Sequence, residues 1–376
     1  MNEIPPLDAA VLPAGVRARF VEGVNGLRMH VLEAGEAGRP LVLLLHGFPE
    51  LAYSWRKVMR PLADAGYHVV APDQRGYGRT TGWDGAYGGD LPSFRLLNLV
   101  RDQLGLIHAL GHSHVELVAG HDFGQPVAAW ASLVRPDVFR RTALMAAPFA
   151  GPPSLPGGRV WADDPIHAQL AALPRPRRHY MAYYSTPQAN ADMLEAPQGL
   201  AAFLRAYYHH KSADWAGNRP FELAGWRAEE LAKLPTYYVM DLGRTMPETA
   251  AEAMPSPAEV AACRWLTDAE LAVYAGEYAR TGFQGGLQWY RCLADGVLAE
   301  ELELFAGRRI ETPAVFMAGA SDWCYRQVPG AYDRMAKAGV ANLAGSHIIP
   351  GAGHWLQQEQ PQRVANILLD HLQRPV

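Results

Sequence analysis

Short, uninterrupted apolar runs separated by helical patterns confine this chain to a parallel sheet with helices packed on it. Leu41–Leu45 is one such run, followed by an amphipathic segment from Tyr53 to Ala65. His68–Ala71 is the next, followed by a helical pattern over Leu91–Leu110 that ends at Gly111, a C-cap residue. Val115–Ala119, a helix from Gly124 to Val134 and the run Ala143–Ala146 continue the series. Strands apolar on both faces and spaced by helices are the signature of βαβ crossovers. Ahead of them, Ala18–Glu22 and Leu27–Glu33 alternate on either side of Asn25-Gly26 and predict an antiparallel hairpin.

The rhythm breaks at Phe149. From there to Arg308 the chain is rich in Ala, Pro and aromatic residues, and helical stretches such as Asp268–Tyr278 alternate with Pro-marked turns. Strand and helix resume at Ala314–Ala318, with Ser346–Ile349 as a last strand and Pro361–Leu372 as a last helix. The pattern predicts an α/β core made of residues 1–148 and 309–376, interrupted by a mainly helical cap over residues 149–308.

Composition narrows the function classes. With 34 Lys+Arg against 38 Asp+Glu, a formal net charge of −4 offers no basic surface for nucleic acid or anionic membrane. The apolar runs are strand-sized, far short of the roughly 20 residues a spanning helix needs. The amino terminus, without a basic start or a continuous apolar stretch, does not read as a signal peptide. Three cysteines (Cys263, Cys292, Cys324) with no CxxC pair suit a reducing compartment rather than a disulfide framework or zinc site. The expectation is a cytoplasmic protein without a metal or organic cofactor. No feature specifies an oligomeric state, and homo-oligomers are compatible with the sequence.

The chemistry-bearing motif is Gly120-His121-Asp122-Phe123-Gly124, between the strand Val115–Ala119 and the helix opening at Gly124. It has the form of a nucleophile elbow with aspartate where serine usually stands, small residues flanking a strained centre. An ordinary βα loop with a capping aspartate is the competing reading. His46-Gly47-Phe48-Pro49 follows Leu41–Leu45 directly and faces the elbow in such a topology. The backbone N–H groups of Phe48 and Phe123 are then placed to form an oxyanion hole. Asp322 follows the strand Ala314–Ala318, and His354 lies in Gly351-Ala352-Gly353-His354-Trp355 after the last strand. Nucleophile, acid, histidine is the chain order of a hydrolase triad on this kind of sheet. The alternative acid position, Ala147-Pro148-Phe149, offers no carboxylate.

Together with Asp73-Gln74-Arg75-Gly76-Tyr77-Gly78, Arg264-Trp265-Leu266-Thr267 and Thr281-Gly282-Phe283-Gln284-Gly285-Gly286-Leu287-Gln288-Trp289-Tyr290-Arg291, these motifs give the chain its likeness to a known family. It resembles the α/β-hydrolase-fold epoxide hydrolases over nearly its whole length. The resemblance implies a mostly parallel eight-stranded sheet with helices on both faces and a large, mainly helical cap inserted after the sixth strand. It also implies that Tyr290 donates a hydrogen bond to the epoxide oxygen. A second cap tyrosine is aligned to Tyr180, with Tyr183 and Tyr184 as rivals, and Glu50 is the residue that would orient water. The residue after the nucleophile is usually Trp in the family and is Phe123 here, which alters the pocket wall; Pro49, Phe149 and Trp289 are the other candidate wall residues.

A carboxylate nucleophile makes sense against an sp³ carbon. Asp122 would form an alkyl-enzyme ester, two tyrosines would assist the leaving alkoxide, and His354 held by Asp322 would activate water. The substrate class expected is an apolar aryl or alkyl epoxide. Other residues take structural readings: His46 as a hydrogen-bonder, Asp73 and Arg75 as organisers of a turn, His112 and His114 as solvent-facing, His209 and His210 as packing or surface. Trp215, Trp226, Tyr237 and Tyr238 are read as core and pocket lining. The rival functions are a haloalkane or haloacid dehalogenase on the same scaffold and a non-catalytic binding protein. Phe48 and Phe123 lack the side-chain N–H that a halide site favours, and binding alone requires no triad.

Overall fold

A computed structural model describes residues 4–155, 161–296 and 300–374. Its main sheet has eight strands: β1 (Val16–Val24), β2 (Leu27–Ala34), β3 (Leu41–Leu45), β4 (His68–Pro72), β5 (Leu117–His121), β6 (Thr142–Met145), β9 (Ala314–Gly319) and β10 (Leu343–Ile349). They lie in the order β1-β2-β4-β3-β5-β6-β9-β10. The expected hairpin β1–β2 is antiparallel, β2 pairs antiparallel with β4, and every pairing from β4 to β10 is parallel.

Alternation within β3 shows how the sheet is buried. Leu41, Leu43 and Leu45 join a core with Leu99, Val100 and Leu106 of the helix Leu96–Ala109 and Val127, Ala128 and Ala131 of the helix Gly124–Val134. Val42 and Leu44 face the opposite core, with Val58 and Leu62 of the helix Arg56–Asp64 and Val364 and Leu368 of the helix Pro361–Leu372. Successive side chains of a strand point to opposite faces, so an all-apolar run satisfies helices on both. The pattern read over Leu91–Leu110 is two elements. A 3₁₀ turn covers Leu91–Phe94, and extended Arg95 (ψ 149°) interrupts before the helix begins at Leu96.

Between β6 and β9 the described residues are mainly helical. They also hold a small ribbon the sequence reading missed, β7 (Arg177–His179) paired antiparallel with β8 (Val239–Asp241). Three residues reading Arg-Arg-His carry no apolar alternation to betray a strand. The ribbon has a use: the Tyr180 N–H extends it by donating to the Tyr238 carbonyl (2.8 Å). That contact fixes Tyr180 as the first residue of the helix Tyr180–Tyr184.

Candidate active site

The elbow forms as its glycines require. Asp122 has φ 50°, a left-handed conformation uncommon outside glycine. A Cβ at Gly120 would meet the carbonyl of Gly124, and one at Gly124 would meet that of Leu45. Only glycine lets the strand end, the helix start and the β3 loop come this close. A Cβ at Gly47 would likewise strike the Asp122 side chain. Asp122, His354, Asp322 and Phe48 all follow the carboxyl ends of parallel strands (β5, β10, β9 and β3), the edge where α/β sheets gather their ligand-binding groups.

The Phe48 N–H donates to Oδ1 of Asp122 at 2.8 Å. His354 Nε2 lies 3.3 Å from Asp122 Oδ2, and its Nδ1 lies 3.2 Å from both oxygens of Asp322. The Cys324 N–H donates to Asp322 Oδ1 at 2.8 Å and holds that carboxylate in place. Asp322 and His354 are buried. Phe123 caps the helix Gly124–Val134 immediately after the elbow. The structure thus brings together Asp122, His354, Asp322 and the Phe48 N–H, the group the sequence singled out. Asp322, Cys324 and His354 are also a set of potential metal donors packed together. The histidine Nδ1 is committed to Asp322, and burial pushes the Cys324 thiol up, which disfavours both as metal donors.

Charge is arranged around Asp122. Burial opposes ionisation of Asp122, but the hydrogen bond and charge of His354, with Lys211 and His121 behind, hold its carboxyl below the usual range. For His354, burial and Lys211 disfavour protonation; Asp322 and Asp122 outweigh them and raise its pKa.

Tyr290 sits over this group. Its ring meets Phe123 edge-on at 4.4 Å and Phe48 at 5.4 Å between centroids. The Gly285-Gly286 pair makes that possible: a Cβ at Gly285 would meet the Gly76 backbone, and one at Gly286 would meet the Phe48 and Tyr77 rings. The helix Gln284–Ala294 therefore lies directly on the core loops, pinned by Trp289 Nε1–H to the Arg75 carbonyl (3.0 Å). The three rival tyrosines separate by their partners. Tyr183 OH donates to Asp192 (2.9 Å) and Tyr184 OH to Tyr207 OH (3.2 Å). Tyr180 lies 5.8 Å from Tyr290, ring to ring. After burial, the charge of Asp122 is a cause of the raised pKa of both Tyr180 and Tyr290, and not of Tyr184.

Glu50 is fully buried and does not stand beside the nucleophile as a free carboxylate. It bonds His121 Nδ1 (2.7 Å), Gln357 (3.0 Å) and Gln358 (2.8 Å), while His121 Nε2 meets the His354 carbonyl at 2.7 Å. Glu50 thus reaches the triad through His121. Of the candidate wall residues, Trp289 and Phe123 line one apolar recess with Phe94, Leu99 and Cys292. Pro49 carries the carbonyl that accepts from Tyr208 OH (2.7 Å), and the ring of Phe149 contacts Trp130.

The structural readings hold in most cases. His46 bonds Gln74 N–H through Nε2 (3.1 Å), Asp73 accepts from the N–H groups of Ala52 and Arg79, and Arg75 pairs with Asp102 (2.7 Å). His112 and His114 are the exceptions: both are half-buried, with His112 Nε2 3.0 Å from His68 Nδ1 and His114 Nε2 3.2 Å from Glu116. Sequence reasoning missed His121 and Lys211, which bond the His354 backbone, and Gln357 and Glu359, which bond Glu50 and the backbone on either side of His354, respectively.

The chain's relatives share this architecture. The alpha/beta hydrolase fold family matches residues 40–361. Epoxide hydrolase A of Mycobacterium tuberculosis (strain ATCC 25618 / H37Rv) is 35% identical over 349 residues, 93% of this chain and 95% of that protein. Epoxide hydrolase B of the same strain is 31% identical over 358 residues, 93% and 96% of the two chains. Among solved structures, an epoxide hydrolase from an endophytic Streptomyces superposes with a TM-score of 0.76 at 31% identity, covering 96% of each chain. Epoxide hydrolase A from Mycobacterium thermoresistibile gives 0.74 at 33% identity, covering 95% of this chain and 98% of that one. By sequence over nearly its whole length and by fold, this chain belongs to the α/β-hydrolase-fold epoxide hydrolase family.

Proposed function

We infer that this chain is an epoxide hydrolase, a hydrolase acting on ether bonds that converts an epoxide and water to a vicinal diol. The observation that carries the mechanism is the division of labour between the two oxygens of Asp122. Oδ1 accepts the Phe48 N–H, and Oδ2 faces His354. Oδ2 is then the attacking atom. It forms a bond to an epoxide carbon as the ring C–O bond breaks, and the alkoxide takes a proton from Tyr290 or Tyr180. Oδ1 remains as the ester carbonyl, held by the Phe48 N–H, and the Phe123 N–H is the second donor we assign to the tetrahedral oxyanion.

Esterification neutralises Asp122 and so removes one of the charges that raise the pKa of His354. The imidazole becomes a base at the step that needs one. It takes a proton from water, the hydroxide adds to the ester carbonyl, and collapse releases the diol and regenerates the carboxylate. The proton on His354 returns through solvent to the tyrosinate, so epoxide plus water balances diol. Glu50 acts behind His121, which props the His354 carbonyl.

The substrate is a small epoxide, and the recess beside Phe123 and Trp289 supports an apolar aryl or alkyl arm on it. A dehalogenase is disfavoured because Trp289 Nε1–H is spent on the Arg75 carbonyl and Phe48 and Phe123 offer no side-chain donor. The chain divides as core 1–148 and 309–376 with cap 149–308. Among the described residues no helix is long and apolar enough to cross a membrane, and we assign the protein to the cytoplasm on its cysteine usage.

The test is a single-turnover reaction with excess enzyme in ¹⁸O-water. Diol bearing ¹⁶O, with ¹⁸O in the Asp122 peptide, is the expected result. Diol bearing ¹⁸O on the first turnover removes Asp122 as nucleophile, and release of halide without any epoxide turnover overturns the reading.

A further inference from the structure

Lys211 ends the helix Leu200–Lys211 and is buried within the active-site region. Among the described residues its ammonium makes no salt bridge. It lies over the rings of Tyr238, Tyr207, Trp355 and Tyr237, at 5.1, 5.4, 5.4 and 5.8 Å from their centroids. Burying a lysine is expensive, and ring faces alone repay only part of the cost. The position is also fixed relative to the triad. The His354 N–H donates to the Lys211 carbonyl at 2.9 Å, and the Trp355 ring under the ammonium stands edge-on to the His354 ring at 4.6 Å.

We propose that Lys211 is a positioning residue for the reaction: its caged cation is the fixed counter-charge of the triad, favouring the Asp122 anion and opposing protonation of His354. The proposal rests on the epoxide hydrolase reading for its kinetic consequences, though not for its direct readout. The charge balance supports it. On the core side, Asp122, Asp322 and Glu50 are acidic, and His121, His46, Tyr77 and Cys324 are the other titratable groups packed near them. On the cap side Tyr207, Tyr237 and Tyr238 face the ammonium, with His210 beside it on its own helix. Glu359 lies behind the His354 loop and is bonded to backbone. Lys211 is thus the cation of this set whose charge does not depend on a histidine proton. Its influence lowers the pKa of both Asp122 and His354, while Asp122 and Asp322 reciprocally help keep it charged.

The role matters most after esterification. With Asp122 neutral, Asp322 and Glu50 still favour an imidazolium, which cannot accept a proton from water. A fixed positive charge opposes that protonation and preserves the base.

The test compares Lys211→Met with Lys211→Arg in the full-length protein. The direct readout is the NMR titration of the His354 imidazole, which needs no substrate. Lys211→Met is expected to raise its pKa by about one unit, and Lys211→Arg to return it toward wild type. In steady-state hydrolysis the acid limb of kcat should move to higher pH, with roughly tenfold loss below the wild-type limb and far less on the alkaline plateau. An unmoved titration, or a loss equal at every pH, overturns the proposal and leaves Lys211 a packing residue. Should Lys211→Met not fold, Lys211→Gln gives the same comparison. A shifted His354 titration in a protein that turns over no epoxide would uphold the electrostatic role and sink the epoxide hydrolase reading alone.

Discussion

The backbone N–H of His354 donates to the carbonyl of Lys211 at 2.9 Å, so the histidine that β10 delivers to the site is held by a helix from the insertion. Two further contacts follow the same seam. Trp355 Nε1–H donates to the Tyr208 carbonyl (2.8 Å), and Glu359 accepts from the N–H groups of Ala213 (2.8 Å), Gly353 (2.9 Å) and Trp355 (3.0 Å). A Cβ at Gly353 would collide with the Ser212–Ala213 peptide. The inserted helix therefore shapes the loop that carries His354.

Glu359→Ala should cost about 3 kcal/mol of unfolding free energy, because buried backbone donors lose their acceptor. Burial pushes the Glu359 carboxyl up to about 8, opposed by the backbone N–H groups it accepts from. A folded-state pKa above the unfolded value means a contribution complete at low pH and lost as pH rises through about 8. The gap between wild type and Glu359→Ala in denaturant melts should therefore narrow from pH 5 to 8. A gap that widens over that interval would mean the clamp works as a carboxylate.

The cap tyrosines give a graded prediction. Tyr290→Phe and Tyr180→Phe should each slow ester formation by roughly 10²-fold, the usual range for a lost general acid. Tyr184→Phe should have a smaller effect, because its hydroxyl is directed to Tyr207. Tyr183→Phe should register in stability and not in rate, since it loses a bond to Asp192. Stopped-flow measurement of alkylation distinguishes the four; a Tyr184→Phe defect equal to that of Tyr290→Phe would reassign the second donor.

How much of this was legible in the sequence depends on the range of the contacts involved. The helix Gly124–Val134 begins at the residue expected, because Gly120 and Gly124 announce the elbow locally. Pro361 likewise announces its helix at the first turn. The triad order could be read because each member follows its own strand. Lys211 and Glu359 carry no such marker. Each has partners that lie far along the chain, Trp355 and Tyr238 for Lys211 and Ala213 for Glu359, and a lysine at a helix end reads as a solvated cap. Glu50 illustrates the intermediate case. Its place beside the oxyanion loop was visible, but its bonding to His121, Gln357 and Gln358 exists only once β3, β5 and the segment after β10 meet. The break at Arg95 was hidden by continuous apolar periodicity through Leu-Pro-Ser-Phe.

Acid should trap the intermediate. Ester formation needs ionised Asp122, whose carboxyl is held low by His354 and its neighbours, so it persists on the acid side. Hydrolysis needs neutral His354, and a base is lost as pH falls through its own pKa. Quenched mixtures at about pH 5.5 should therefore carry a larger fraction of protein mass-shifted by one substrate than mixtures at about pH 8. His354→Gln should show the shift at every pH with no sustained turnover. An acid-side loss of rate without any mass-shifted protein would place the titrating group in the first step instead.

Phe123→Trp enlarges the side chain that follows Asp122, and its consequence follows from the packing. Phe123 already meets Tyr290 at 4.4 Å and Trp289 at 5.7 Å, ring to ring. The space on its other side is the recess bounded by Phe94, Leu99, Pro126 and Cys292. An indole has nowhere else to go, so it should fill that recess at a cost of about 1–3 kcal/mol or less where the void accepts it. The triad and the backbone hole are untouched. Small aliphatic epoxides should keep kcat/KM within roughly threefold, while substrates with a bulky aryl arm lose it tenfold or more. Parallel losses on both substrate classes would mean that the recess does not take the substrate and that the indole instead displaces Tyr290.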